Sequence, residues 1–108
     1  SGFGHFYVSN GTTNANVTGT TNLADGAWHH LVGSFESGVA ARIYIDGSLQ
    51  NSVATAITSV NVSTAPFTIA VKSDFASGFL NGSIDEVRVY SRALTSTEIT
   101  SLYNFHLR

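Results

Sequence analysis

The stretch RIYIDGSLQNSVAT, residues Arg42 to Thr55, decides the fold class. Apolar Ile43 and Ile45 alternate with Arg42 and Tyr44, the two-residue period of a strand with one buried face. Asp46-Gly47 then supplies the pair that a tight type I′ turn requires, because both central residues take positive φ. A second strand, Ser48 to Thr55, leads back. An antiparallel hairpin is therefore predicted at the centre of the chain.

Working outward, short alternating segments separated by Gly-containing turns predict further strands at Phe3 to Val8, Trp28 to Glu36, Phe67 to Lys72 and Ser83 to Tyr90. Pro66 opens the fifth of these six strands, where its missing N–H costs no ladder bond. The residues from Asn10 to Asn22 are poor in apolar side chains and read as a loop or an exposed edge. One helix is predicted, starting after Thr95, where Thr95 and Glu98 form a capping box and Leu94 and Ile99 a hydrophobic staple. Ile99, Leu102 and Tyr103 share a face of it. The pattern as a whole is all-β: an antiparallel β-sandwich with one short C-terminal helix.

At 108 residues the chain has room for one domain, residues 1–108. It begins at Ser1 and reads as a processed or excised piece. Charged residues are only 11%, the formal charge is -2, and Ser, Thr and Asn make up roughly a third of the chain. Such a surface lacks the basic footprint needed to hold a phosphate backbone, so no nucleic-acid partner is expected. No apolar run reaches the ~18 residues of a membrane helix, so no membrane insertion is expected. Without cysteine, neither a disulfide framework nor a thiol nucleophile is available.

The adjacent acids Asp85 and Glu86 pose a catalytic question. On a regular strand they point to opposite faces, so they do not form the carboxylate pair of a glycosidase. Asp85 shares its face with Val87 and Val89 and needs compensation there, either from hydrogen-bond donors or from a calcium ion. Glu86 and Arg88 read as a solvated ion pair. His29-His30 is not a chelating pair, since strand neighbours diverge. His5 and His106 carry no ligand spacing and stay unassigned.

Arg42 with Tyr44, and Arg88 with Tyr90, repeat one motif whose Arg and Tyr are expected on the outer face. Forked donors beside aromatic rings suit a glycan or a protein surface, and an ordinary solvated sheet face is the plainer reading. Asp74 and Asn81, on a loop, are a second set of candidate ligand-binding residues. Asn10, Asn16, Asn61 and Asn81 each open an N-x-S/T sequon, which matters only on a glycosylating secretory route.

The segments AWHHLVGSFESGVAARIYIDGSL (27–49), PFTIAV (66–71) and FLNGSIDEVRVYSRALTSTEITSLY (79–103) together resemble the laminin-G-like, concanavalin A-like lectin/glucanase superfamily. The Trp-His-His strand, the R-x-Y-x-D-G hairpin and the closing I-D-E-V-R-x-Y strand occur in the family's order. The resemblance spans about Phe3 to Tyr103 and corresponds to the later part of the family's domain, without its early strands. It implies a jelly-roll sandwich in secreted or cell-surface proteins, usually a non-catalytic adhesion or lectin-like module that binds carbohydrate or protein and often holds calcium at a rim. Under this resemblance Asp85 is the calcium-side candidate. Catalytic relatives carry E-x-D-x-x-E on one strand, and this chain has no such run. The absent strands imply either a reduced sandwich or completion by a neighbouring chain or a second copy, as in a homo-oligomer, fibre or surface layer.

Overall fold

The computed structural model describes residues 2–10, 12–58, 85–90 and 92–106. The chain runs β1 (Phe3–Ser9), β2 (Asn14–Asn22), β3 (Leu31–Glu36), β4 (Ala40–Ile45), β5 (Ser48–Ala54) and α1 (Ser96–His106). β1 and β2 form one antiparallel sheet; β3, β4 and β5 form a second, with β4 in the middle. The predicted Asp46-Gly47 turn is present, with φ of 52° and 82°. The strand at 67–72 lies outside the described residues.

The two sheets pack face to face. Phe6 and Val8 of β1 stand opposite Val17 and Ala15 of β2 in register. Ala15 and Val17 meet Ala41 and Ile43 of β4 and Ile57, with Phe6, Phe35 and Val53 around them. Close approach of the layers depends on Gly33, because a Cβ there would collide with the Phe6 ring. A glycine is thus a packing residue here rather than a turn residue.

The expectation that 10–22 is a loop is corrected by β2. Its Asn and Thr side chains occupy outward positions, while Ala15, Val17 and Gly19 are buried between them. Only every second position of a half-buried strand has to be apolar, so two small hydrophobes and a glycine are sufficient. A bulge in the β4–β5 ladder falls between Ile43↔Asn51 and Tyr44↔Leu49, which makes Gln50 the extra residue. Bulges re-aim side chains. Gln50 Oε1 accepts from the Thr20 N–H at 3.1 Å and from the Thr20 and Thr21 hydroxyls at 2.8 and 2.9 Å. Asn51 Nδ2 donates to the Thr18 carbonyl at 3.0 Å, so side-chain amides tie β5 to β2 across the layers.

Two other strand boundaries are corrected. β3 begins at Leu31 and not at Trp28, which is 71% exposed. Residues 85–90 form no strand: all six are exposed, and Glu86 has a positive φ of 55° that interrupts an extended run. The alternation read into them presumed a paired neighbour, and among the described residues no strand pairs with them.

The helix forms as its capping box predicts. Thr95 N–H donates to Glu98 Oε1 at 2.9 Å, and Glu98 N–H to Thr95 Oγ1 at 3.2 Å. Arg92 grips the same carboxylate with two bonds of 2.8 and 2.6 Å. The guanidinium, then the Thr95 amide, pull the Glu98 carboxyl down to about 2. Ile99 is fully buried, Thr100 Oγ1 donates to the Gly47 carbonyl at 3.1 Å, and Tyr103 tilts against His30 at 6.0 Å between ring centres. α1 therefore docks on the β4–β5 turn. At Gly47 a Cβ would lie 2.9 Å from Tyr103, and the positive φ there is one that L side chains rarely adopt. Loss of the N-cap oxygen in Thr95→Ala should cost about 1 kcal/mol, measured as a lower urea midpoint at unchanged slope.

Candidate functional site

Two constellations stand out on this frame. The first is an open groove of about 440 Å³ between the 90–94 segment and α1, lined by Tyr90, Arg92, Leu94, Glu98, Leu102 and Phe105 together with two hydroxyl residues of α1. Tyr90 and Phe105 are large aromatic side chains left 45% and 60% exposed. The bidentate Arg92–Glu98 pair places charged hydrogen-bonding groups beside them. Arg88 interacts with the Tyr90 side chain and, at 3.4 Å, with Glu86, and these partners raise its pKa. The solvated Glu86–Arg88 pair is thus as the sequence suggested.

The second is a histidine held between two acids. The ladder from Leu31↔Ile45 continues one step, with Asp46 N–H donating to the His30 carbonyl at 2.8 Å. Asp46 Oδ1 accepts the His30 N–H at 2.9 Å, which leaves Oδ2 at 2.7 Å from His29 Nδ1. On the other side of the ring, Asp25 Oδ1 and Oδ2 lie 2.9 and 3.0 Å from His29 Nε2. Asp46 and then Asp25 raise the His29 pKa against a smaller desolvation effect. The His29 side chain, then the Ala27 amide, lower that of Asp25. For Asp46, burial pushes upward, but the His30 amide and the His29 ring outweigh it and the net is lowered.

The residues singled out from sequence divide as follows. Tyr90 lies exposed in the groove, and Arg88, also exposed, interacts with the Tyr90 side chain from outside the lining. Arg42 is half-buried and donates to Glu36 at 2.9 Å. Tyr44, expected outward with it, is instead 6% exposed: the outer face of β4 is covered at that position. Asp74, Asn61 and Asn81 lie outside the described residues. Asn16 is exposed on β2, and Asn10 Oδ1 accepts from the Thr12 and Thr13 amides at 2.9 and 2.7 Å, an Asx turn at the β1–β2 connection. Asp85 does not face core valines. It is exposed, with Oδ1 accepting the Glu86 N–H at 2.8 Å, so it needs no buried partner. Among the described residues no group of three or more His or acidic side chains is arranged to hold a metal.

The Asp25–His29–Asp46 cluster was not anticipated. Treating 28–36 as one strand sent His29 and His30 to opposite faces and hid the carboxylates. The signal was nonetheless present, because a hairpin register pairing Leu31 with Ile45 sets Asp46 opposite His30.

Comparison with known proteins agrees with this architecture. No curated protein sequence matches the chain. A crystal structure of an S-layer domain-containing protein, residues 221-444, from Clostridium thermocellum ATCC 27405 superposes with a TM-score of 0.56 at 23% identity. The match covers 83% of this chain and 45% of that one, so the chain spans less than half of that structure. A laminin G family model described as Concanavalin A-like lectin/glucanases superfamily matches residues 1–100. With its two antiparallel sheets and single C-terminal helix, the chain belongs to the concanavalin A-like lectin/glucanase superfamily.

Proposed function

We propose that the chain is a non-catalytic recognition module, extracellular or at a cell surface, that binds carbohydrate through the groove beside α1. The observation that carries this reading is the groove's chemistry: exposed Tyr90 and Phe105 with a forked Arg92–Glu98 pair between apolar walls. Aromatic faces stack on the apolar face of a sugar ring, and a fixed guanidinium–carboxylate pair offers donors and acceptors to its hydroxyls. Family membership supports a carbohydrate ligand, since the superfamily's description couples lectins with glucanases.

The non-catalytic reading draws support from the acids of the two constellations, Asp25 and Asp46 being paired with His29 and Glu98 with Arg92. A general acid needs a carboxyl free to hold and release its proton near working pH. Calorimetric titration with soluble oligosaccharides, with and without calcium, is the test. Tyr90→Ala and Phe105→Ala should each weaken binding about two- to ten-fold, the worth of one aromatic contact. Titrations unchanged in both variants would remove the groove from the reading.

A second reading is a subunit of a self-assembling surface layer, completed by strand addition from a neighbouring copy. It draws on the S-layer domain-containing protein that shares the fold. Light scattering over a dilution series separates the two, because assembly raises the mass with concentration and a monomeric lectin-like module does not.

A further inference from the structure

The segment between Leu23 and His30 is fastened at both ends. Leu23 N–H donates to the Gly2 carbonyl at 2.6 Å, and His30 is bonded to Asp46 through both its amide and its carbonyl. Between those points Asp25 folds locally over the Ala27 amide at 3.0 Å. Ala24 N–H donates to Asn22 Oδ1 at 2.9 Å, and beyond Ala24 the side-chain bonds that join this arm to the body of the sandwich run through the His29 ring, by Asp25 on one side and Asp46 on the other.

A neutral imidazole carries one N–H. With it, one of the two short nitrogen–oxygen contacts would set a lone pair against a carboxylate. Only the imidazolium donates to both acids, and the two short contacts fit the protonated ring between two carboxylates. The ionisable groups that face it are Asp25 from the arm and Asp46 from the β4–β5 turn. His30 and, from α1, Tyr103 pack on the same turn. Neither carboxylate pairs with Arg or Lys among the described residues.

We propose that His29 is a proton-operated latch: its imidazolium ties the 23–29 arm through Asp25 to the Asp46 turn, and loss of the proton frees the arm that carries Trp28. The direction agrees with the raised pKa of His29 and the lowered one of Asp25. A histidine whose folded pKa lies above its unfolded value of ~6.5 gives its full stabilisation below that value, and loses it as pH rises through the folded pKa. The latch is therefore closed in mild acid and opens on the alkaline side of the ordinary histidine range.

The chain supplies its own reporter, because Trp28 is the only tryptophan. The experiment follows the His29 ring by NMR and Trp28 by time-resolved fluorescence anisotropy from pH 5 to 9. The expected result is a rise in the amplitude of fast Trp28 motion with the same midpoint as the His29 titration. Asp25→Asn, a change at an exposed site, should move both midpoints to lower pH together, and His29→Gln should abolish the pH dependence of the motion. Trp28 motion that stays constant while His29 titrates would overturn the latch. So would a His29 ring already neutral at pH 6, or an Asp25→Asn chain that behaves as the parent does.

Discussion

Ile43→Ala is expected to lower the unfolding free energy by about 2–5 kcal/mol. Ile43 is fully buried on the central strand of its sheet and packs with Ala15 and Val17 of the opposite layer. Removing three carbons forfeits their transfer free energy. The site also collapses poorly, because its neighbours are small and held by ladders on both sides, so a cavity term adds to the loss. Urea denaturation measures it, with Val89→Ala as the comparison. Val89 is 74% exposed, and its truncation should stay within about 0.5 kcal/mol. A similar loss in both variants would mean that the interior is not where Ile43 places it.

Asp46→Ala should cost about 2.5–5 kcal/mol, from two independent sources. Asp46 sits at φ 52°, a left-handed conformation that Asp tolerates and that costs Ala roughly 1–2 kcal/mol. Its carboxylate also accepts the His30 amide and faces the His29 ring, and a charged hydrogen bond contributes about 1.5–3 kcal/mol. Asp46→Asn separates the two, since it keeps the turn residue and removes the charge. The deficit should depend on pH in a definite sense. The parent's His29 proton is bound more tightly folded than unfolded, so its contribution is complete below ~6.5 and disappears above the folded pKa. Both variants should therefore fall furthest behind the parent at pH 6 and close part of the gap at pH 9. A gap that widened with pH would reverse the assignment.

Local chemistry in the sequence was sufficient for the Asp46-Gly47 turn and the Thr95–Glu98 cap, because both are settled within four residues. The sandwich followed from alternation, and β2 was missed because its inward positions are small. Apolar count is a poor guide where a layer needs thin residues, as at Ala15 and Gly19. Tyr44 and Asp85 erred for a common reason. Alternation sorts residues into two faces but does not say whether a face is covered or whether a paired neighbour exists. Tyr44 lies on a covered outer face, and Asp85 stands in a segment without a described ladder. At the groove and beside it, Tyr90 and Arg88 were legible as chemistry, whereas Arg92, Glu98 and Phe105 joined them only once α1 was docked. The acids around His29 required the β3–β4 register, which is a tertiary fact.

The docking of Thr100 on Gly47 joins points 53 residues apart in sequence. Closing so long a loop is already close to its entropic plateau, and doubling the intervening length would add only about 0.6 kcal/mol. Length between the turn and the helix is therefore thermodynamically cheap to change, whereas Ile57 in the core and Tyr90, Arg92 and Leu94 at the groove are points within that span whose identity matters.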